Sequence, residues 1–233
     1  MDLGCELAVR IVTAGGVSVF VKGVRVGDPR AEGLWREAAV NAAVGSFSPA
    51  LLWQVEADGW RLLGFEYAAG RPAGYGQDSR DLRQLSRVVR RMGQLRCPDV
   101  PLPLAEDRWA EYVDDPGLLA RFAGDVLLHT DLACRNVLIR GGRTRLVGWG
   151  SATRGAAWIE AASWVLQLIA VGRHQPAYAE AWVCGIPAWE ELDPEVLDAF
   201  ALANVRCRQG DRVMGGAARR WYAHRLSGDR PML

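Results

Sequence analysis

The stretch from Leu127 to Trp149, LLHTDLACRNVLIRGGRTRLVGW, restricts the fold of this chain more than any other. The apolar pair Leu127-Leu128 runs into a polar loop, His129-Thr130-Asp131, and Asn136 follows five residues after Asp131. A strand starts at Val137-Leu138-Ile139, turns at Gly141-Gly142 and returns through Arg145-Leu146-Val147. Two glycines between β-prone runs signal a two-residue hairpin, because both central positions of such a turn need positive φ. A polar loop is thus held between a strand and a tight hairpin.

The chain ahead of this stretch reads as strands with one helix. Ala8–Val12 and Val17–Val21 flank Ala14-Gly15-Gly16 as a hairpin. Gly15-Gly16 is a turn, since no G-x-G-x-x-G or Walker pattern surrounds it. The second strand, VSVFVKGV, carries Lys22 at its end. Arg30–Val44 is helical, with Leu34, Ala38 and Ala42 on one face. Glu37 lies within it, either as a solvated carboxylate or as an ion-pair partner of Lys22, and Glu32 competes for that role. Ala50–Ala57 and Trp60–Tyr67 are strands joined by Asp58-Gly59, a strong hairpin signal. In FEYAAGRP, Gly70 and Pro72 break the pattern.

Helices dominate beyond that break. Ser79–Arg96 carries an apolar stripe of Leu82, Leu85, Val88, Val89, Met92 and Leu95. Its arginines read as a solvated face, not an RNA-binding one, given Asp78 and Asp81 at its start and no interleaved aromatics. Short helices are expected near Glu106–Val113 and Gly117–Ala123. After Trp149 a Gly/Ser/Thr-rich turn leads to a buried helix with Glu160 at its start. Further helices cover Ala177–Cys184, a segment opened by Asp193-Pro194-Glu195, and Ala217–Leu226. Glu190, Glu191, Asp193 and Glu195 read as capping and first-turn carboxylates, with amine binding as the alternative. The expected fold class is α+β and two-lobed: a small β-rich lobe at 1–67, a linker at 68–72, and a helical lobe at 73–233 containing the hairpin.

Composition excludes several classes. A net charge of +1 gives no argument for nucleic acid or membrane. The segment Ala161–Val171 is too short to span a bilayer, and MDLGCELAVR lacks the pattern of a signal peptide. Five scattered cysteines, with no C-x-x-C pair, suggest free thiols and a cytoplasmic protein. Of 28 basic residues, every one but Lys22 is an arginine. Arginine serves every other basic position, so the single compact ammonium is read as functional, suited to phosphate oxygens. For His129 and Asp131, a hydrolase dyad or a zinc site ranks lower. No Ser sits in a G-x-S-x-G setting, and only three His exist.

These residues resemble the aminoglycoside phosphotransferase family, within the protein-kinase-like fold, over nearly the whole chain. HTDLACRN followed by NVLI is similar to that family's catalytic loop, with the kinase spacing H-x-D-x-x-x-x-N. VGWG and the helix WIEAA resemble its metal loop and the helix after it, FVKG the strand with the nucleotide lysine, and LLGFEYAAGRP the inter-lobe linker. The resemblance implies roles. Asp131 is the catalytic base for an acceptor hydroxyl, and Asn136 a Mg²⁺ ligand. Lys22 contacts the α/β-phosphates and Glu37 orients it. Glu66 and Ala68 offer backbone groups to adenine, and His129 and Glu160 support the loop. ATP or GTP and Mg²⁺ are the implied cofactors, and a small metabolite or antibiotic the implied substrate. Phosphoryl transfer asks mainly for positioning and charge neutralisation, which fits these residue types.

Three departures accompany the resemblance. Gly148 stands where a second metal ligand, an Asp, is expected. The region before Lys22 leaves room for a hairpin but not for a glycine-rich loop. Glu160 replaces the family's usual Asp. They admit a phosphotransferase with a compromised metal site, a pseudokinase acting as a binding or scaffold protein in a biosynthetic pathway, or a kinase-like enzyme acting on a biosynthetic peptide. An engineered substitution at position 148 is a further reading.

Overall fold

Hydrophobic periodicity and turn chemistry translate into helices and antiparallel strands throughout the computed structural model, which describes residues 4–227. Residues 1–3 and 228–233, the outer ends of the two expected lobes, lie outside the described residues. In chain order the first elements are β1 (Leu7–Val12), β2 (Ser18–Arg25), α1 (Ala31–Val40), β3 (Leu51–Ala57), β4 (Trp60–Glu66) and β5 (Arg71–Pro72). Then come α2 (Leu82–Met92), α3 (Ala105–Trp109), α4 (Pro116–Ala120), β6 (Val126–Leu128), β7 (Val137–Arg140), β8 (Arg143–Leu146) and β9 (Thr153–Gly155). The last are α5 (Trp158–Ala170), α6 (Pro176–Ala181), α7 (Pro187–Glu190), α8 (Pro194–Cys207) and α9 (Arg212–Leu226). The chain divides into two compact units. One holds Met1–Ala73, Pro98–Leu102 and Ala133–Ala152; the other holds Gly74–Cys97, Pro103–Leu132 and Thr153–Leu233.

The first unit is built on an antiparallel sheet of order β1-β2-β4-β3. Asp58 (φ 51) and Gly59 (φ 75) close the β3–β4 hairpin, both with the positive φ of a type I′ turn. Strand alternation places Lys22, Val24, Leu63 and Phe65 on one face. Val24, Leu63 and Phe65 form a core there with Cys5 and Leu34 of α1. On the other face the Trp53 ring lies across Gly64, where a Cβ would sit 2.1 Å from it. The second hairpin of this unit, β7–β8, turns at Gly141 (φ 54) and Gly142 (φ 72), and β5 pairs with β7.

The second unit is helical. α5 is buried along almost its whole length, as expected of a helix apolar on all sides. Its first residue, Trp158, joins Trp109, Phe122, Phe200 and Trp221 in a chain of edge-on or tilted rings with centroids 5.1 to 6.2 Å apart. β6 pairs with β9, so the expected Gly/Ser/Thr turn contains a short strand.

Several boundaries differ from expectation for local reasons. β2 continues to Arg25, so Lys22 is interior to its strand and not at its end. α1 stops at Val40, not Val44, because the Asn41 side chain accepts from Leu51 N at 2.7 Å and donates to the Pro49 carbonyl at 3.0 Å, binding the chain to the start of β3. α2 begins at Leu82, not Ser79, where the Asp81 carboxylate accepts from Gly74 N at 2.8 Å. It ends at Met92, since Arg96 bridges to Val126 of β6. α9 starts at Arg212, five residues before Ala217, because Asp211 accepts from both Val213 N and Met214 N. Gly215 and Gly216 had hidden that first turn.

Candidate functional site

In the first unit the only lysine is paired. Lys22 Nζ donates to both oxygens of Glu37 at 2.8 Å each, and both residues are buried, 7 % and 6 % exposed. The pair forms because β2 alternation turns Lys22 toward α1, and α1 buries Leu34, Glu37 and Val40 on the facing stripe. Glu32, on the opposite side of the helix, is exposed and 3.4 Å from Arg36. A close approach fixes α1: a Cβ on Gly150 would lie 3.3 Å from the Gly33 carbonyl oxygen, tighter than an ordinary contact, and Arg36 Nε donates to the Gly150 carbonyl at 2.8 Å.

The pair opens onto a cavity of about 280 Å³. Phe20, Phe65, Leu138, Leu146 and Trp149 form its apolar walls, and Glu66, Tyr67 and Ala68 pass along it. Asn136 and Gly148 line it as well. The Glu66 N–H is donated to the Ala50 carbonyl at 2.9 Å, so a base could meet Glu66 only through its carbonyl. Trp149 is held by its Nε1–H on Ser48 Oγ.

Gly148 adopts a left-handed conformation, φ 80 and ψ 47. Its N–H donates to Glu37 Oε1 at 3.1 Å. A Cβ at this position would lie 3.0 Å from Asn136 Oδ1, so a side chain here would point at Asn136. The residues of this unit do not fit Mg²⁺ in its usual form. Mg²⁺ is normally held by one or two carboxylates with phosphates. Asn136 is neutral, Glu37 is neutralised by Lys22, and no cluster of three His, Cys, Asp or Glu exists among the described residues.

In the second unit His129, Thr130 and Asp131 form a tight loop. His129 is fully buried, and its Nδ1 accepts from Asp131 N at 3.2 Å. The backbone N–H groups of His129 and Thr130 both donate to the Glu160 carboxylate. Burial, opposed by these two hydrogen bonds and by the Arg108 charge, pushes the Glu160 carboxyl up to about 7. Thr130 has φ 59, an outlying conformation for a β-branched residue. Arg108 Nη1 donates to Thr130 Oγ1 at 2.7 Å and to Thr153 Oγ1 at 3.1 Å.

Of the sequence candidates, Lys22, Glu37, Glu66, Ala68, Asn136 and Gly148 line one cavity, and His129, Asp131 and Glu160 form one loop network. Asp193 caps α8, accepting from Glu195 N at 3.0 Å. Sequence reasoning missed Arg135 and Phe20 in the cavity and Arg108 beside the loop. Arg135 adjoins Asn136 and could have been found there. Arg108 carried no local signal.

The fold defined by these units is the kinase-like fold of the aminoglycoside phosphotransferases. The chain is similar to the aminoglycoside phosphotransferase APH(4)-Ia, solved as a thermostable mutant in ternary complex with AMP-PNP and hygromycin B. That match has 15% identity, a TM-score of 0.55, and covers 96% of this chain and 95% of that one. An amicoumacin kinase in complex with AMP-PNP, Ca²⁺ and its substrate matches with a TM-score of 0.64 at 11% identity, over 96% of this chain and 86% of that one. An aminoglycoside phosphotransferase from Alicyclobacillus acidocaldarius matches with a TM-score of 0.59 at 12% identity, over 97% and 93%. No family model and no curated protein matches the chain. No helix among the described residues is long and apolar enough to cross a membrane.

Proposed function

We propose that this chain is a member of the aminoglycoside phosphotransferase family that binds a purine nucleotide and transfers its γ-phosphoryl group to a hydroxyl of a small molecule, with a compromised metal site. The observation that carries this reading is the buried Lys22–Glu37 pair opening onto an apolar cavity bordered by Glu66–Ala68. The apolar walls suit a planar base, the Glu66 carbonyl and Ala68 backbone its polar edge, and the lysine ammonium the phosphates. Residues 68–72 act as the linker between lobes. Asp131 accepts the proton of the acceptor hydroxyl while that oxygen bonds to the γ-phosphorus and the bond to the leaving diphosphate breaks. His129 and Glu160 hold the Asp131 backbone in place. The neighbours' substrates, hygromycin B and amicoumacin, support a small-molecule acceptor. Asn136 is the residue that would face a metal ion, and no step is assigned to one.

A second reading is favoured by Gly148, whose backbone N–H occupies Glu37 and which brings no carboxylate. In that reading the chain binds nucleotide without Mg²⁺ and acts as a pseudokinase. Thermal shift with ATP alone and with ATP plus Mg²⁺ separates the two. Stabilisation that increases with Mg²⁺ supports the enzyme, and equal stabilisation with and without Mg²⁺ supports the pseudokinase. No response to any purine nucleotide defeats both.

A further inference from the structure

A second cavity in the first unit, about 430 Å³, shares Pro49, Glu66, Tyr67, Ala68 and Leu138 with the first. It includes neither Lys22 nor Asn136 and instead takes in Arg140, Arg143 and Arg145 of the β7–β8 hairpin. The hairpin register explains why these three converge. Arg140 is directly opposite Arg143, and Leu138 is opposite Arg145. Cross-strand partners share a face, so Leu138 and all three arginines point the same way.

This arrangement is unfavourable on its own. Like charges directly opposite on neighbouring strands destabilise a hairpin. The β3–β4 hairpin of this unit avoids the problem: Glu56 is opposite Arg61 and the two form an ion pair at 3.0 Å. At β7–β8 no such compensation exists. Arg140 and Arg143 are exposed, and their side chains make no hydrogen bond or ion pair among the described residues. Arg145 is pre-positioned, its Nη1 donating to the Ser48 carbonyl at 2.9 Å. The lining holds one carboxylate, Glu66, whose Oε2 accepts from Ala50 N at 3.3 Å, against three guanidiniums. Arg10, outside the lining, stacks at 4.3 Å on the ring of Tyr67 and donates to Ser18 Oγ.

We propose that this cavity is an anion site adjoining the first, which takes a phosphorylated small molecule, its phosphate among Arg140, Arg143 and Arg145 and its organic part against the shared wall of Pro49, Tyr67 and Leu138. Guanidinium forks match phosphate oxygens in pairs, and an oxyanion removes the repulsion that the hairpin otherwise carries. The volume exceeds what inorganic phosphate fills, and the apolar wall calls for an organic substituent. The inference does not depend on the nucleotide reading of the first cavity.

Inorganic pyrophosphate is the probe, followed by thermal shift without Mg²⁺ at 20 and 300 mM NaCl. At about ten times Kd, the expected rise in Tm is roughly 3–6 °C in low salt, smaller in high salt. Arg140→Ala/Arg143→Ala should melt slightly higher than the wild type without pyrophosphate, because repulsion is relieved, and should lose the pyrophosphate response. Lys22→Met/Glu37→Gln, which removes both partners of the buried pair, should keep the response. Absence of any rise in the wild type overturns the proposal, as does a rise that survives in the arginine variant. A response lost in the Lys22 variant but kept in the arginine variant assigns the anion to the first cavity and equally overturns it.

Discussion

Glu37 accepts the backbone N–H of Gly148 at 3.1 Å through Oε1, the same oxygen that receives Lys22 Nζ. One carboxylate therefore links the sheet, the helix and the loop that in a kinase-like site carries the metal. The link uses only the backbone N–H of residue 148 and none of its side chain. Beside it, Val147 N donates to the Asn136 carbonyl at 2.9 Å, so the loop is tied to Asn136 through backbone alone.

Breaking the pair from one side should be costly. Lys22→Met leaves Glu37 buried and uncompensated, with an expected loss of about 3–5 kcal/mol. In a chain of this size that lowers Tm by roughly 6–20 °C. Lys22→Met/Glu37→Gln removes both charges and should recover most of the loss. Equal destabilisation of single and double variants, measured by thermal melts at pH 7, would contradict a buried, mutually dependent pair.

Gly148→Asp tests the metal position. Left-handed φ costs an Asp roughly 1 kcal/mol, and its Cβ forces Asn136 Oδ1 to move by a few tenths of an ångström from its 3.0 Å position. The ligand-free variant should melt about 2–6 °C below the wild type. It should also gain a Mg²⁺-dependent increase in stabilisation by ATP that the wild type lacks or shows weakly. If Mg²⁺ changes nothing in the variant, Asn136 and residue 148 do not form the metal site.

Glu160 sets a pH dependence whose sign follows from its burial. Its carboxyl is raised from 4.5 to about 7 in the folded chain, so the folded state favours the protonated form. The stability this contributes is fully present below about pH 4.5 and is lost as pH rises through about 7. Glu160→Gln mimics the neutral acid and keeps an acceptor for the His129 and Thr130 N–H groups. Relative to this variant, the wild type should lose about 3 kcal/mol between pH 4.5 and 8. Urea unfolding at intervals across that range reads the difference directly, and parallel curves for the two proteins would refute the assignment.

Elements whose signals are local were legible in the chain. Asp58-Gly59 and Gly141-Gly142 specify their hairpins because positive φ at two successive positions leaves few alternatives. Asp193-Pro194 opened α8 as its capping chemistry implies. Lys22 stood out by being the lone lysine, and the structure places it in the cavity with Glu37, Glu66, Ala68, Asn136 and Gly148. Boundaries set by distant partners were not legible. Asn41 ends α1 by bonding to Pro49 and Leu51, and Arg96 leaves α2 to bridge Val126, interactions with no trace in helical periodicity. Arg108 reaches Thr130 across 22 residues for the same reason.

The linear order of residues determined by itself the main strands, hairpin turns and helices, though not the short strands β5 and β9, and which side chains are candidates for phosphate chemistry. Those are properties of backbone preference and of chemical type, both carried by each residue with its near neighbours. Only the tertiary structure decided that Glu37 and not Glu32 meets the lysine, and that Gly148 contributes its backbone to that pair. It also decided that three arginines of one hairpin face a common cavity. Each depends on which faces of separate elements are brought together, and burial then fixes how strongly their charges are felt.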